Sequence, residues 1–437
     1  MPLRSAAGTV APGVMAMQDP RAKFRELTRV FDPIYRPYQD AGDGPGSSYV
    51  REAHEDYRNQ LEAALDLNDN AKLLVAGQPG CGKTTLLLSV AHRLRAEGRV
   101  VAFVDLEART AVQDLGSVEM YLAAMAEMLS EANKAAAPVR PETLEACRGW
   151  VERLQGGAAG SADPASLADA LGRYLSVLRE SKALRDELRI LVKQGGDDPL
   201  QLLSRLLGDL EDRRPVVILD GLDKLPPVQA RDTFLDDKRK PMAEAPGAAI
   251  LTIPLSLVYE PTFNVLSERY NNADSAVLPA VRLWDLDPAT RERGRSEHGV
   301  RILRRIVEAR VAPIDPMIVI PEAVDRAIVG SGGNIRELAR LMQSSVVKAH
   351  VRRGSFIEPQ DVERAIADQR ESFRRAYDPQ FLPVLEKVRR EYRLEGHSDV
   401  TKQLLYGLWV IEYRNGIAWY SLPEPVEQLL QHIERGA

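Results

Sequence analysis

The chain has 437 residues, of which 44% are hydrophobic and 28% are charged, and its formal net charge is −5. This balance is typical of a globular protein of about three domains, and the slight acidity argues against a broadly basic, sequence-independent nucleic-acid binder. With Cys81 and Cys147 as the only cysteines, no disulfide framework is expected, and the cytoplasm is the predicted location. No uninterrupted apolar run of about 18 residues occurs, so no membrane span or membrane partner is expected.

The N-terminal residues 1–50 are rich in small and turn-forming residues, which predicts a flexible leader rather than a signal peptide. Residues 51–67 have the composition of a helix. The run "AKLLVAG" predicts a buried strand that ends at a glycine, and "KTTLLLSVAHRLRAEG" predicts the helix that follows it. The run "RVVAFVDLE" predicts a second buried strand.

Residues 109–213 form an unusually long stretch with helical spacing of apolar residues. Leu171, Leu175 and Leu178 would share one helix face, and the set Leu184, Leu188 and Leu191 would share another. This pattern predicts either a helical insert that packs on the core or an arm that binds a partner or forms a coiled coil.

Three further strands are predicted after the insert, in "RPVVILDGLDKL", "GAAILTIPLSLVY" and "SAVLPAVRLWDL". Helices dominate again from about residue 287 to residue 369. The tail alternates between a helix, a pair of strands and a last helix, and Asn415-Gly416 would form a two-residue hairpin turn.

The stretch "AGQPGCGKTT" matches the phosphate-binding pattern GxxxxGK(S/T). Glycines let the backbone curl so that N–H groups face phosphate oxygens, and the following helix adds the positive end of its dipole. The alternative, a chance glycine turn before a helix, does not explain the strand before it. We expect ATP and Mg²⁺ as cofactors, with the lysine on the β- and γ-phosphates and the first threonine on the metal. The predicted cofactor-binding residues are Gly77, Gln78, Pro79, Gly80, Cys81, Gly82, Lys83, Thr84 and Thr85.

The run "VVILD" predicts a buried strand whose last residue, Asp220, would hold Mg²⁺ together with Thr84. Many proteins with this pair of motifs have a glutamate directly after the aspartate, where it orients the attacking water. In this sequence the next residue is Gly221. Asp223 could orient that water instead, or it could cap the next helix.

These motifs resemble those of P-loop NTPases of the AAA+ and STAND groups, and "DGLDKL" looks like a STAND pattern. The resemblance implies an α/β fold in which a parallel sheet is flanked by helices. It also implies a strand between the P-loop strand and the aspartate strand, with Thr252 facing the γ-phosphate. Otherwise Thr252 is a buried threonine that bonds the backbone. The implied domains are the leader (1–50), the P-loop ATPase core (51–285), a helical lid (286–370) and a winged-helix-like domain (378–437).

In AAA+ proteins the lid carries a Gly-x-x-Arg helix start, and "SGGNIRELARLMQ" is similar to it. The resemblance implies that Arg336 reaches the γ-phosphate, while the alternative is an ordinary surface arginine. Rings of such proteins also use an arginine from the neighbouring subunit, for which Arg269 is the candidate in "SERYNNADSAVLP"; a solvated surface arginine is the other interpretation.

The tail "LLYGLWVIEYRNGIAWYSLPEPVEQLL" resembles a winged helix. Its hairpin carries Arg414 as its only lysine or arginine, which favours an intramolecular or protein-binding role over DNA contact. The sequence thus predicts an Mg²⁺-dependent ATPase that drives assembly or switching, with a homo-oligomer, a protein or DNA as partner. The alternative is a nucleotide-gated binding module with slow or no turnover, such as a DNA-associated loader or a defence-system sensor subunit; a metabolic kinase would not need the lid and wing.

Overall fold

The computed structural model describes residues 20–35, 48–155, 160–193, 199–234, 242–267, 269–272, 276–287, 289–396 and 398–436. The strands are β1 (Lys72–Gly77), β2 (Val101–Asp105), β3 (Val216–Asp220), β4 (Ala248–Thr252), β5 (Val277–Leu278), β6 (Trp284–Leu286), β7 (Arg293–Arg295), β8 (Ile411–Asn415) and β9 (Ile417–Ser421).

The helices are α1 (Pro20–Val30), α2 (Glu55–Leu67), α3 (Lys83–Ala96), α4 (Leu106–Arg109), α5 (Ser117–Lys134), α6 (Pro141–Gln155), α7 (Pro164–Glu180), α8 (Lys182–Lys193), α9 (Pro199–Asp209), α10 (Pro227–Phe234), α11 (Leu255–Val258), α12 (Asn264–Ser267), α13 (Glu297–Val311), α14 (Pro321–Ser331), α15 (Ile335–Val351), α16 (Pro359–Ala376), α17 (Leu382–Glu391), α18 (Asp399–Tyr406) and α19 (Glu424–Gly436). Short 3-10 turns lie at Arg51–His54, Val112–Asp114, Glu211–Arg213, Leu222–Lys224, Pro261–Phe263 and Pro379–Phe381.

The described residues form two compact units. The core unit consists of His54–Gly77 and Lys83–Leu278. The C-terminal unit combines the described residues up to Ala53 with Gln78–Gly82 and Pro279–Ala437. Residues of the predicted lid and of the predicted tail both lie in this unit, and the boundary between them stays a prediction.

The core unit is built on a five-stranded parallel sheet with the order β2-β3-β4-β1-β5. β4 pairs with both β1 and β3, so it lies between the P-loop strand and the aspartate strand, as the resemblance implied. Strands β1, β3 and β4 are buried along their whole length, which explains their continuous apolar sequences. The predicted α/β class with a parallel sheet is confirmed.

The helical insert runs from α5 to α9, and α5 packs against both β2 and α7. The predicted apolar face of α7 is buried, since Leu171, Leu175 and Leu178 are each no more than 1% exposed. Of the second predicted set, Leu188 is the buried member. The first long helix of the insert thus covers the sheet.

The fifth predicted strand is wrong in its extent. Among the described residues of this run, Val277 and Leu278 alone are strand partners of β1, and Pro279 follows directly. Proline has no N–H to donate to a ladder, which ends the strand. The rest of the predicted run contributes Trp284–Leu286 to a small antiparallel pair with Arg293–Arg295 in the C-terminal unit.

The predicted flexible leader is also wrong for part of its length. Residues 20–30 form α1, and Phe24, Leu27 and Phe31 lie in the apolar core of the C-terminal unit. Phe24 and Leu27 lie on one face of the helix, Phe31 directly follows the helix, and burial of these side chains stabilises it. Residues 1–19 and 36–47 of the predicted leader lie outside the described part of the chain.

The hairpin of the C-terminal unit pairs β8 with β9, and Tyr413 and Trp419 bring its inner face into the same apolar core. Asn415 pairs directly with Ile417, so the chain reverses at Gly416 alone, whose φ is +86°. The predicted two-residue turn is therefore one residue shorter, because Asn415 belongs to the strand. Within the described ranges, no helix is both long enough and apolar enough to cross a membrane.

Candidate phosphate-binding site

The phosphate motif begins at the end of β1 and runs into α3, which starts at Lys83. Gly77, Gly80 and Gly82 have φ values of +147°, +83° and +106°. Side chains other than glycine rarely adopt this region, so the three glycines explain how the backbone makes its tight curl. Successive N–H groups in such a curl form a concave anion site, and a helix N-terminus favours a negative ligand.

The Lys83 side chain is held inside the core unit and is only 7% exposed. Its ammonium donates to the Gly77 carbonyl at 2.9 Å and forms an ion pair with Asp223 at 3.0 Å. Asp223 lies in the 3-10 turn that precedes α10, and its carboxylate is directed to the lysine. The structure therefore brings together two of the residues that the sequence singled out.

A second pair joins α3 to the end of β3. The Thr84 hydroxyl donates to a carboxylate oxygen of Asp220 at 2.7 Å. The pKa of Asp220 is raised to about 6, mainly by burial; Asp223 and Asp105 also raise it, while Thr84 and Lys83 lower it. A hydroxyl and a carboxylate are hard oxygen ligands, which are the kind that Mg²⁺ takes, so the two side chains fit the metal that the motif implies.

The order of the sheet and these two pairs agree with one architecture: the phosphate loop follows β1, the aspartate ends β3, and β4 lies between them. The core unit has the P-loop NTPase fold. Its additional strand β4 is the feature that the AAA+ and STAND resemblance implied.

A family model described as the N-terminal region of nephrocystin 3 matches residues 53–155, about a quarter of the chain. This range includes the phosphate loop of the P-loop NTPase core. A comparison with curated protein sequences gives no match.

Several solved structures resemble the chain over most of its length. Cdc6p from Pyrobaculum aerophilum has a TM-score of 0.41 at 13% identity, covering 93% of this chain and 97% of its own. The ORC1 protein of Aeropyrum pernix, solved in complex with DNA, has a TM-score of 0.39 at 16% identity, covering 94% and 98%. The Walker-type ATPase PABY2304 of Pyrococcus abyssi has a TM-score of 0.41 at 14% identity, covering 92% and 99%. Likenesses at this level do not themselves assign a function to the chain.

Thr252 ends β4 and is fully buried in the P-loop NTPase core. Its hydroxyl oxygen accepts from the backbone N–H groups of Gly221 and Leu222 at 3.0 and 3.1 Å. The same hydroxyl lies 3.3 Å from the Leu219 carbonyl, to which it donates. Thr252 thus holds the backbone of Gly221 and Leu222, the two residues that lie between the predicted aspartates.

Gly221 follows Asp220 in place of the glutamate of an Asp-Glu pair, and its backbone explains the glycine. Its φ is +104°, and a Cβ at this position would lie 3.4 Å from the Glu107 nitrogen and from the Leu106 side chain. The left-handed turn favours glycine and leads the chain into the 3-10 turn that carries Asp223. The backbone conformation of this turn therefore favours glycine over the glutamate of the Asp-Glu pattern.

The sequence reasoning missed Asp105, which ends β2. Asp105 pairs in register with Asp220 on the neighbouring strand, and its carboxylate also accepts from the Ala108 N–H at 3.2 Å. The sequence could have indicated Asp105, because it ends a predicted buried strand as Asp220 does. The ends of neighbouring parallel strands meet at one sheet edge.

Within the C-terminal unit, the phosphate-loop residues Gln78–Gly82 contact the start of α15. Asn334 caps this helix by accepting from the N–H groups of Arg336 and Glu337, both at 3.1 Å, and donates to the Pro79 carbonyl at 2.9 Å. The Arg336 N–H donates to the Gly80 carbonyl at 3.2 Å. A Cβ on Gly80 would lie 2.4 Å from the Arg336 Cβ, so this close approach requires glycine.

The two remaining candidate residues, Arg336 and Arg269, lie in different units. The side chain of Arg336 is half-buried and lines a cavity of about 630 Å³ in the C-terminal unit, together with Pro79 and Trp409. Arg269 is half-buried in the core unit, and its N–H donates to the Leu266 carbonyl after α12. Its predicted role across a subunit interface stays a prediction.

Proposed function

We propose that this protein binds ATP with Mg²⁺ through its P-loop NTPase core and hydrolyses it as an ATPase of the AAA+/STAND type. The observation that carries the proposal is the 2.7 Å bond between Thr84 and Asp220. It joins the residue after the P-loop lysine to the aspartate at the end of β3, the two positions that hold the metal in P-loop NTPases. When bound, Mg²⁺ would neutralise charge on the β- and γ-phosphates.

The surrounding side chains support a nucleotide with several phosphates. The ammonium of Lys83 is held by the carbonyl of Gly77, the first residue of the motif. The N–H groups of the loop would bind the phosphate oxygens. The contacts of Pro79 and Gly80 to α15 use carbonyl oxygens, so they would not compete with the phosphate. The loop can therefore keep these contacts with a phosphate bound.

Hydrolysis requires a group that orients water, and Asp223 is the candidate. Its carboxylate forms an ion pair with Lys83. A phosphate would draw Lys83 toward itself and leave Asp223 able to accept a hydrogen bond from water. The alternative function is a nucleotide-gated binding module with slow or no turnover, and the same ion pair favours it, since Asp223 must first be released from the lysine.

Nucleotide occupancy would act through Arg336, which would contact the γ-phosphate in the ATP state and lose that contact in ADP. The expected outcome is assembly of a homo-oligomer or binding of a protein partner in the cytoplasm, with Arg269 as the candidate residue at a neighbouring site. DNA is the less favoured partner: within β8 and β9, Arg414 is the only lysine or arginine, and Glu412 lies on the same strand.

Phosphate release from Mg-ATP, measured alone and with duplex DNA, tests the proposal. Release that depends on Mg²⁺ and is lost in Asp223→Asn supports an ATPase. Tight ATP binding with no release in either condition supports the nucleotide-gated module. Stimulation by DNA would restore DNA to the favoured partners.

A further inference from the structure

The side chain of Gln78, the second residue of the phosphate motif, is 2% exposed inside the C-terminal unit. Its amide nitrogen donates to the carbonyls of Leu405 and Val410 at 3.0 and 2.6 Å. Its amide oxygen accepts from the Glu412 N–H at 2.9 Å. Both polar atoms of this side chain therefore bond the backbone of one short stretch, residues 405–412.

The phosphate pattern makes no demand on the side chain at this position, because the cradle is formed by backbone N–H groups. A buried side-chain amide costs free energy unless it is hydrogen-bonded. The three hydrogen bonds of Gln78 therefore indicate that its side chain has a structural role. Leu405 lies in the last turn of α18, where its carbonyl also accepts from the Leu408 N–H at 3.3 Å, and Glu412 lies in β8. Gln78 thus connects the loop to both ends of the turn between α18 and the hairpin.

The loop is held from a second direction by α15. Asn334 donates to the Pro79 carbonyl and the Arg336 N–H donates to the Gly80 carbonyl. The backbone of Glu412 extends the connection, because its carbonyl accepts from the Ala280 N–H at 3.1 Å. With these contacts in place, Gly80 and Gly82 of the loop have the positive φ values that a phosphate-binding curl requires.

We propose that Gln78 is a positioning residue that holds the phosphate loop in its binding shape and couples phosphate occupancy to the α18–β8 turn and its hairpin. The inference rests on the proposed function, since it assumes that the loop binds a nucleotide. A loop fixed in advance spends less free energy on ordering when the ligand binds. Couplings between two binding sites are reciprocal. If ATP changes the affinity of the hairpin for a partner by some factor, the partner changes the affinity of the loop for ATP by the same factor.

The test compares wild type with Gln78→Leu and Gln78→Glu by calorimetry with a non-hydrolysable ATP analogue and by amide hydrogen exchange. Gln78→Leu removes all three bonds at similar size. Gln78→Glu keeps an acceptor for the Glu412 N–H but sets a carboxylate against two carbonyls. Gln343→Leu is the matched control: it removes one side-chain bond to the Thr28 carbonyl in the same unit, away from the loop.

Without nucleotide, we expect exchange at residues 405–412 to be about fivefold faster or more in Gln78→Leu than in wild type. With the analogue, exchange at these residues should change in wild type and in Gln343→Leu, and should not respond in Gln78→Leu. The affinity of Gln78→Leu for the analogue should fall by about fivefold or more, which is within the usual range of couplings between sites. Gln78→Glu should lose at least as much affinity, because its buried carboxylate faces two carbonyls, and unchanged exchange outside residues 405–412 shows that neither variant has failed to fold.

The possible failures are distinct. A wild-type protein that does not bind the analogue overturns the proposed function, and the coupling with it. A wild-type protein that binds the analogue while residues 405–412 exchange identically with and without it overturns the coupling alone. Unchanged affinity and exchange in both Gln78 variants does the same.

Discussion

Lys83 and Asp223 form an ion pair in which the ammonium lies 3.0 Å from a carboxylate oxygen, and both side chains are largely shielded from solvent. The lysine that the motif assigns to phosphate is thus already neutralised by an aspartate from the turn after β3. A nucleotide phosphate must replace this carboxylate as the partner of Lys83. Under the proposed function, Asp223 would therefore act on two quantities, the affinity for ATP and the rate of hydrolysis.

Asp223→Asn should separate these quantities. Loss of the competing carboxylate should raise the affinity for a non-hydrolysable ATP analogue about threefold to tenfold, because Lys83 no longer leaves a charged partner. Hydrolysis should slow at least tenfold if the carboxylate orients water. Calorimetry and phosphate release measure the two effects, and Asp232→Asn, an exposed position on α10, is the control. Hydrolysis at the wild-type rate would assign Asp223 no part in the chemistry.

Asp220→Asn should act on the metal instead. The amide oxygen can still accept from Thr84, and a neutral side chain avoids burying a charge, so the fold should be kept. As a weaker Mg²⁺ ligand, it should raise the Mg²⁺ concentration for half-maximal ATP binding about tenfold. Asp105→Asn, on the neighbouring strand, should have a smaller effect, since Thr84 bonds to Asp220. Equal Mg²⁺ titrations of Asp220→Asn and wild type would place the metal elsewhere.

Thr252→Val should destabilise the turn that carries both aspartates. The change leaves the buried N–H groups of Gly221 and Leu222 without their acceptor, at about 1–3 kcal/mol each. We expect a free energy of unfolding lower by roughly 2 kcal/mol or more, and a larger loss of hydrolysis than of ATP affinity. Thr110→Val, which removes one bond from a buried hydroxyl to the Leu106 carbonyl, is the matched control. A variant as stable as wild type would contradict this role for Thr252.

The strands of the core unit, the phosphate loop and the start of α15 follow from the sequence because the relevant patterns are local. Buried parallel strands have continuous apolar runs, and the glycines of the loop are needed where φ is positive. The Asn334 cap likewise follows from a polar residue directly before a helical pattern. Each of these features depends on residues within one turn or one strand.

The features that the sequence did not predict depend on contacts between distant segments. The apolar spacing in α1 is short and lies among charged residues, so its place in the C-terminal core comes from α13–α15 and the hairpin. The three bonds of Gln78 reach residues more than 300 positions away. No local pattern indicates such partners, and the same holds for the pair of Lys83 with Asp223.

Arg336→Ala should separate nucleotide binding from the response to it. ADP lacks the γ-phosphate, so only the ATP state would give Arg336 this partner, and a contact of about 1.5–3 kcal/mol could shift a two-state equilibrium about 10- to 150-fold. Wild type should assemble or change shape with a non-hydrolysable analogue and not with ADP, as followed by light scattering and small-angle scattering. Arg336→Ala should bind nucleotide nearly as well and give no response.

Arg340→Ala is the control for this variant, because Arg340 lies one turn further along α15 and its exposed side chain pairs with Glu337. It should respond to the analogue like wild type. A selective response in Arg336→Ala would assign the sensing of the γ-phosphate to another residue.

The most direct test of the account is calorimetric titration of Mg-ATP into wild type, Lys83→Ala and Lys134→Ala. Lys134 is an exposed lysine of the insert, paired with Glu131, and controls for the loss of one positive charge. Lys83→Ala removes a charge-assisted contact of about 1.5–3 kcal/mol, so its affinity for ATP should be at least about tenfold weaker while Lys134→Ala binds like wild type. Equal affinities for wild type and Lys83→Ala would contradict the assignment of this loop as the nucleotide site.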